Sequence, residues 1–272
     1  MDQSSINFDL DFPEGVVHFT FPKRDEPRLL WQLTEEIIPV ADTLAEMGSS
    51  IAATFGKTVT CGAGCGVCCR QMVPLSPPEA AIIFDVVDKL PPKRKSDVCA
   101  AFSRALVALA KAGIKDEISE VYRVSTDPAK VREINRRYFD LGISCPFLQD
   151  GSCSIYSRRP SRCREYSVMS SPQLCADPFN NPVKRLPLTL KLSESLSHAW
   201  SSLSGKPPVI IPLVKALEWV EHNRDVCTLS VCGAEHVVQG VLEFACTKAN
   251  KSAAHDLASH SGLKNEQTSA GA

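Results

Sequence analysis

Four cysteines fall within nine residues, Cys61-Gly-Ala-Gly-Cys65-Gly-Val-Cys68-Cys69, and a second set follows at Cys145, Cys153, Cys163 and Cys175. Thiolates are soft ligands that suit zinc, iron and iron-sulfur clusters, whereas cysteines that merely fill a core do not arrive four at a time. None of the six histidines lies in either group, so the expected ligand set is all sulfur. The intervening glycines permit positive φ and close backbone approach, as a loop wrapped around a metal requires. Adjacent Cys68 and Cys69 project in different directions, so three first-group ligands to one centre are expected, with the second group completing it. There, Asp150-Gly151 signals a tight turn that lets Cys145 and Cys153 converge. Arg158, Arg159, Arg162 and Arg164 flank Cys163, and guanidinium groups offset the excess negative charge of a thiolate site or else form a solvated face.

Competing readings of the same residues are weaker. Cys61-x3-Cys65-x2-Cys68 has the spacing of the radical S-adenosylmethionine cluster loop, but no βα-barrel pattern follows it. Cys65-Gly-Val-Cys68 has the spacing of a thioredoxin-like redox pair, yet Pro74, Pro77 and Pro78 forbid a long helix directly after it. Gly62-x-Gly64-x-Gly66 lacks the preceding strand of a nucleotide-binding loop. Cys99 and Cys246 lie on or beside apolar helix faces and read as small buried hydrophobes, while Cys227 and Cys232 have no glycine knuckle or histidine beside them. Arg132, Arg136, Arg137 and the four arginines around Cys163 read as a solvated face rather than a nucleic-acid patch, because the net charge is only -1.

The cysteine-rich loop followed by Cys145-Pro-Phe-Leu, Gly-Ser-Cys153-Ser-Ile-Tyr156 and Arg158-Arg159-Pro160-Ser-Arg-Cys163-Arg164-Glu resembles the YkgJ-type cysteine-cluster proteins, whose CxxCxxCC domain is described as zinc- or iron-chelating. The resemblance covers roughly residues 61–168. It implies that Cys65, Cys68, Cys69, Cys145, Cys153 and Cys163 are family cysteines, and it makes Tyr156, Arg159 and Arg164 the motif residues expected beside the bound group. Here three residues rather than two separate Cys61 from Cys65. A domain of this type also occurs in flagellin lysine methylases, so the resemblance leaves enzyme and binding module both open.

The elements that must position these cysteines are mostly helical. Apolar residues from Leu30 to Phe55 recur at the helical period, with Pro39 splitting the run. Ser76-Pro77-Pro78-Glu79 is a capping box that opens a helix to about Leu90, and Pro91-Pro92 precedes another ending near Gly113. Asp127-Pro128 starts a helix that delivers the chain to the second cysteine group. Leu192 to Leu203 closes at Gly205, Pro212 starts a further helix, and a last one begins near Ala234. The segment Val16 to Phe21 is β-prone. The expected architecture is a mainly α, irregular helical domain with two cysteine-rich metal-binding inserts. It divides into an N-terminal arm with at most one edge strand (1–27), the cysteine-cluster domain (28–180), C-terminal helices packing on it (181–249) and a disordered tail (250–272).

With 272 residues, 44% hydrophobic and 22% charged, the chain is long enough for one well-buried domain. No apolar run approaches the roughly 18 residues of a bilayer span. The acidic start MDQSSINFDLDFPEG lacks the basic-then-apolar build of a leader, so the expected compartment is a reducing cytoplasm, where cysteines ligate rather than crosslink. The expected ligands are Cys61, Cys65, Cys68, Cys69, Cys145, Cys153 and Cys163, with Cys175 a candidate eighth. The expected cofactor is an iron-sulfur cluster or zinc, with iron-sulfur favoured because ligands arriving singly from distant segments suit a cluster several ångströms across. Two functional readings follow. One is a metal-binding module that acts through a protein partner; the other is an iron-sulfur-dependent redox or methyl-transfer enzyme.

Overall fold

Phe8, Leu10 and Phe12 alternate with Asn7, Asp9 and Asp11, and this two-residue period builds strand β1 (Ser5–Phe12), paired antiparallel along its length with β2 (Gly15–Pro22). The expected arm with at most one edge strand is therefore a two-stranded hairpin. Its apolar face buries Phe12, Val17 and Phe19 and stacks the rings of Phe8, Phe19 and Phe21. The computed structural model describes residues 5–23, 26–124, 127–188 and 190–262, apart from the side chains of 121–124 and 252–262.

The helical run after β3 (Arg28–Leu29) gives α1 (Leu30–Ile37) and α2 (Val40–Thr54), divided at Pro39. After the first cysteine loop and β4 (Pro74–Leu75), α3 (Pro77–Asp88) opens on the Ser76–Glu79 capping box. Helix α3 buries Ala80, Ala81, Ile82, Ile83, Val86 and Val87. A helix apolar on so many sides must be covered all round, and α1, α8 (Leu192–Ser204) and α9 (Ala216–His222) cover it. Helix α4 (Pro92–Lys111) starts on its proline pair, and α6 (Pro128–Asp140) starts where the Asp127 carboxylate accepts from the Ala129 amide at 2.9 Å. Between them lies α5 (Glu117–Val124), a short helix without a distinctive start signal. Ile114 and Ile118 bury it against Leu109, Ile134 and Tyr138 in a second, smaller core.

The second cysteine segment contributes β5 (Leu148–Gln149), β6 (Ser152–Cys153) and the five-residue α7 (Ser161–Glu165). Two-residue bridges tie the C-terminal part to the rest: β4 pairs with β7 (Ile211–Pro212), and β3 pairs with β8 (Ser230–Val231). Pro212 is followed by a 3-10 turn before α9 begins at Ala216. Helix α10 (Ala234–Gly262) passes through Asn250, where the composition predicts a tail, and residues 263–272 lie outside the described residues. It packs on β1, with the Cys246 thiol and the Asn250 amide both donating to the Asp11 carbonyl at 3.0 and 2.8 Å. One apolar core, from Phe12 through Leu75, Phe147 and Trp200 to Ala249, joins the hairpin, α1 to α4 and α8 to α10. The fold is mainly α and irregular. Among the described residues no helix is long and apolar enough to cross a membrane.

Candidate metal centre

The first cysteine group is an irregular loop of successive turns. Cys65 N donates to Gly62 O at 3.2 Å, Cys69 N to Gly66 O at 3.0 Å and Gln71 N to Cys68 O at 2.9 Å, and Gly64 takes φ +91°. In the second group, Asp150 at φ 49° and Gly151 at φ 77° form the two-residue turn that joins β5 to β6. Positive φ at both central positions is the geometry that an Asp-Gly pair supplies.

These two segments, far apart in the chain, meet directly. Cys145 N donates to Cys69 O at 2.7 Å, Thr60 N to Val168 O at 2.9 Å, and Val168 N to the Cys61 sulfur at 3.2 Å. A Cβ on Gly66 would stand 2.4 Å from the Gly151 carbonyl oxygen, so the loop lies against the hairpin turn at a separation only glycine allows.

The thiols act on one another electrostatically, with Cys68 common to all of them. Burial, backed by the charges of Cys153 and Cys68, pushes the Cys145 thiol up to about 12. Burial pushes Cys163 well above the ordinary thiol value, and Cys145, Cys68 and Cys153 add to the rise while Arg159 opposes it. Burial likewise raises Cys153, with Arg159 again opposing and Cys68 adding. On the other flank, burial raises Cys61 against the Val168 amide, and Cys68, Cys175 and Cys65 push it further. Cys175 is raised by burial and by Cys68 and Cys65, while its contact with the Tyr166 hydroxyl at 3.9 Å lowers it. Cys68 itself is pushed strongly up, first by its bond to Cys69. Burial and neighbouring thiols thus favour the neutral form at Cys61, Cys68, Cys145, Cys153, Cys163 and Cys175.

The donors fit a thiophilic metal in kind: eight sulfurs from the two segments, no histidine, and all twelve cysteines of the chain free. Among the described residues, no three His, Cys, Asp or Glu side chains stand together at metal-holding spacing. The Cys246 thiol is engaged by the Asp11 carbonyl, and Cys227 lies near Arg224 and Asp85. Both are outside the set.

The motif arginines divide by role. Arg164 donates through Nε to the Arg159 carbonyl at 3.0 Å, through Nη2 to the Ser157 carbonyl at 2.6 Å and through Nη1 to Asp42, so its polar atoms serve the backbone and α2. Arg158 bridges Glu35 on α1 and Asp85 on α3. Arg159 donates through Nη2 to Asp42 at 3.1 Å and lies over the Tyr156 ring at 4.0 Å, while its buried Nε has no partner. The other arginines of that basic set are engaged as well: Arg132 and Arg136 over Phe179, Arg137 with Glu117 and Arg162 with Glu165.

Two carboxylates that hold the site are not apparent from the cysteine pattern. Asp42 anchors two motif arginines, and buried Glu79 accepts from Ser161, the first residue of the helix carrying Cys163. Glu79 announces itself in sequence only as half of a capping box; Asp42 gives no signal beyond its place in the first turn of α2.

The two irregular segments of this helical protein meet where both cysteine groups lie. Residues 60–181 match the family model CxxCxxCC, described as "Putative zinc- or iron-chelating domain". This segment is similar to that family, and the match encloses all eight clustered cysteines, Cys175 included. No curated protein and no solved structure matches the chain.

Proposed function

We propose that the protein is a cytoplasmic metal-binding module whose centre is held by cysteine alone, from Cys61, Cys65, Cys68, Cys69, Cys145, Cys153, Cys163 and Cys175. The observation that supports this reading is the direct contact of the two segments, Cys145 N on Cys69 O and Val168 N on the Cys61 sulfur, which brings cysteines of both groups near Cys68. A bound centre would supply a crosslink between the segments and, if it is iron-sulfur, a redox couple. Because no three donors among the described residues stand at metal-holding spacing, loading would draw the sulfurs inward. The surplus of thiols over the four that one zinc or one four-iron cluster needs supports a closed centre rather than the open position an enzyme requires. It also supports iron and sulfide, since ligands come singly from hairpin, helix and loop. A reducing compartment is what such free thiols require.

The test is purification without oxygen followed by elemental and sulfide analysis. Brown protein with broad absorption near about 400 nm is expected of sulfur-to-iron charge transfer. Colourless protein with stoichiometric zinc and no labile sulfide overturns the iron-sulfur assignment and leaves a zinc module. Serine at Cys65 or at Cys163 lowers bound metal by similar factors; unchanged metal content removes that residue from the ligand set.

A further inference from the structure

Arg159 is held at three points. Its carbonyl accepts from Arg164 Nε at 3.0 Å, its guanidinium lies over Tyr156 at 4.0 Å, and its Nη2 donates to Asp42 at 3.1 Å. Its Nε is buried and donates to nothing. A buried N–H without an acceptor is costly, about 1–3 kcal/mol and more for a charged group, and is uncommon in a settled fold. The group nevertheless lies between Cys153 and Cys163 in sequence, and its charge acts on Cys68, Cys153 and Cys163. A guanidinium has no acceptor of its own and its fork is rigid, so fixing Nη2 and the ring plane also fixes the direction of the Nε–H bond.

We propose that Arg159 Nε–H is a donor held ready for a cysteine sulfur of the loaded site, and that Asp42 on α2 is the positioning residue that aims it. The inference rests on the metal-binding reading above. A metal-bound thiolate is a strong acceptor, so a loaded centre would give the orphaned N–H a charge-assisted bond. The same guanidinium offsets part of the negative charge that an all-thiolate centre collects. Tyr156 is the platform that keeps the fork in plane, which gives the Tyr156, Arg159 and Arg164 of the motif three separate tasks: platform, donor and backbone brace.

The experiment is a double-mutant cycle on the full chain, with Arg159→Lys, Asp42→Asn and the pair, read by zinc competition against a chelator and by urea unfolding of the metal-free protein. Lysine keeps the charge but loses the fork. Arg159→Lys is expected to lower zinc affinity by about tenfold to a hundredfold, the usual effect of removing a partner that hydrogen-bonds a metal ligand. Asp42→Asn lowers it in the same direction on the wild-type background and by a clearly smaller factor on the Arg159→Lys background, the remainder coming from its contact with Arg164. The sulfur-to-metal absorption of the cobalt-loaded protein shifts in Arg159→Lys. Affinity and absorption unchanged in Arg159→Lys overturn the inference, as does a loss of affinity that merely follows the loss of metal-free stability. A wild-type chain that takes up neither zinc nor iron overturns the metal-binding reading itself, and this inference with it.

Discussion

Of the three glycines between the first four cysteines, Gly66 alone meets another segment. A Cβ there would stand 2.4 Å from the Gly151 carbonyl oxygen and 2.5 Å from Leu148 Cδ1, whereas one on Gly62 or Gly64 would meet nothing. The obstacle is partly backbone and cannot swing aside. Gly66→Ala is therefore expected to separate the loop from the hairpin and to cost about 1–3 kcal/mol of stability, the range for overpacking. Urea unfolding and metal content per chain are the measurements; an alanine variant that unfolds and loads like the wild type contradicts this contact. In sequence the three glycines look equivalent, because intervening spacing reports backbone freedom and not which neighbour approaches. The two cysteine groups are legible as groups, since residue type and crowding are local facts. Asp42 was not, because a carboxylate near the start of a helix is an ordinary surface residue until two arginines from residues 159 and 164 reach it.

Helix α7 has five residues, too few to hold itself, and its place is fixed from α3. Glu79 accepts from Ser76 N and Oγ through one oxygen at 2.8 Å each, and from Ser161 N and Oγ through the other at 2.9 and 2.7 Å. One buried carboxylate thus caps two helices, and the second carries Cys163. Glu79→Gln substitutes an amide donor for one of those acceptors, so a buried backbone N–H is left facing N–H. The expected cost is about 1–3 kcal/mol, with a smaller loss, about 0.5–1.5 kcal/mol, for Ser161→Ala, which keeps the backbone bond. Denaturant midpoints of the two variants check this, and equal losses would show that only the hydroxyl matters. The capping half was readable from Ser76-x-x-Glu79; the half reaching Ser161 depends on tertiary packing that spacing does not encode. The N-terminal hairpin shows a different limit. Its period-two alternation is present from Phe8 to Phe12, but among acidic residues it resembles a solvated arm until α10 covers it.

Across the molecule, helices with strong start signals and a regular apolar period were legible, and α5, lacking such signals, was visible only through the core it closes with α4 and α6. The large core joins the hairpin, α1 to α4 and α8 to α10 without relying on the cysteine segments, which attach at its side through Phe147 and Ile155. Metal binding is therefore a local event on a standing scaffold, and its linkage to pH follows from the thiols. In the metal-free chain burial and mutual charge raise Cys61, Cys145, Cys153, Cys163 and Cys175, with Cys145 pushed up to about 12, so at neutral pH these ligands hold their protons. A metal takes the thiolate, so every ligand of this kind must give up a proton on loading. The sign is fixed: affinity is greatest at high pH and falls as pH falls, about tenfold per unit for each thiol that ligates. A tetrahedral zinc held by such thiols alone is expected to release about four protons when added to the metal-free protein in weak buffer at pH 7. Release of about two or fewer would mean that water or non-sulfur donors complete the coordination, and the all-cysteine centre would be wrong.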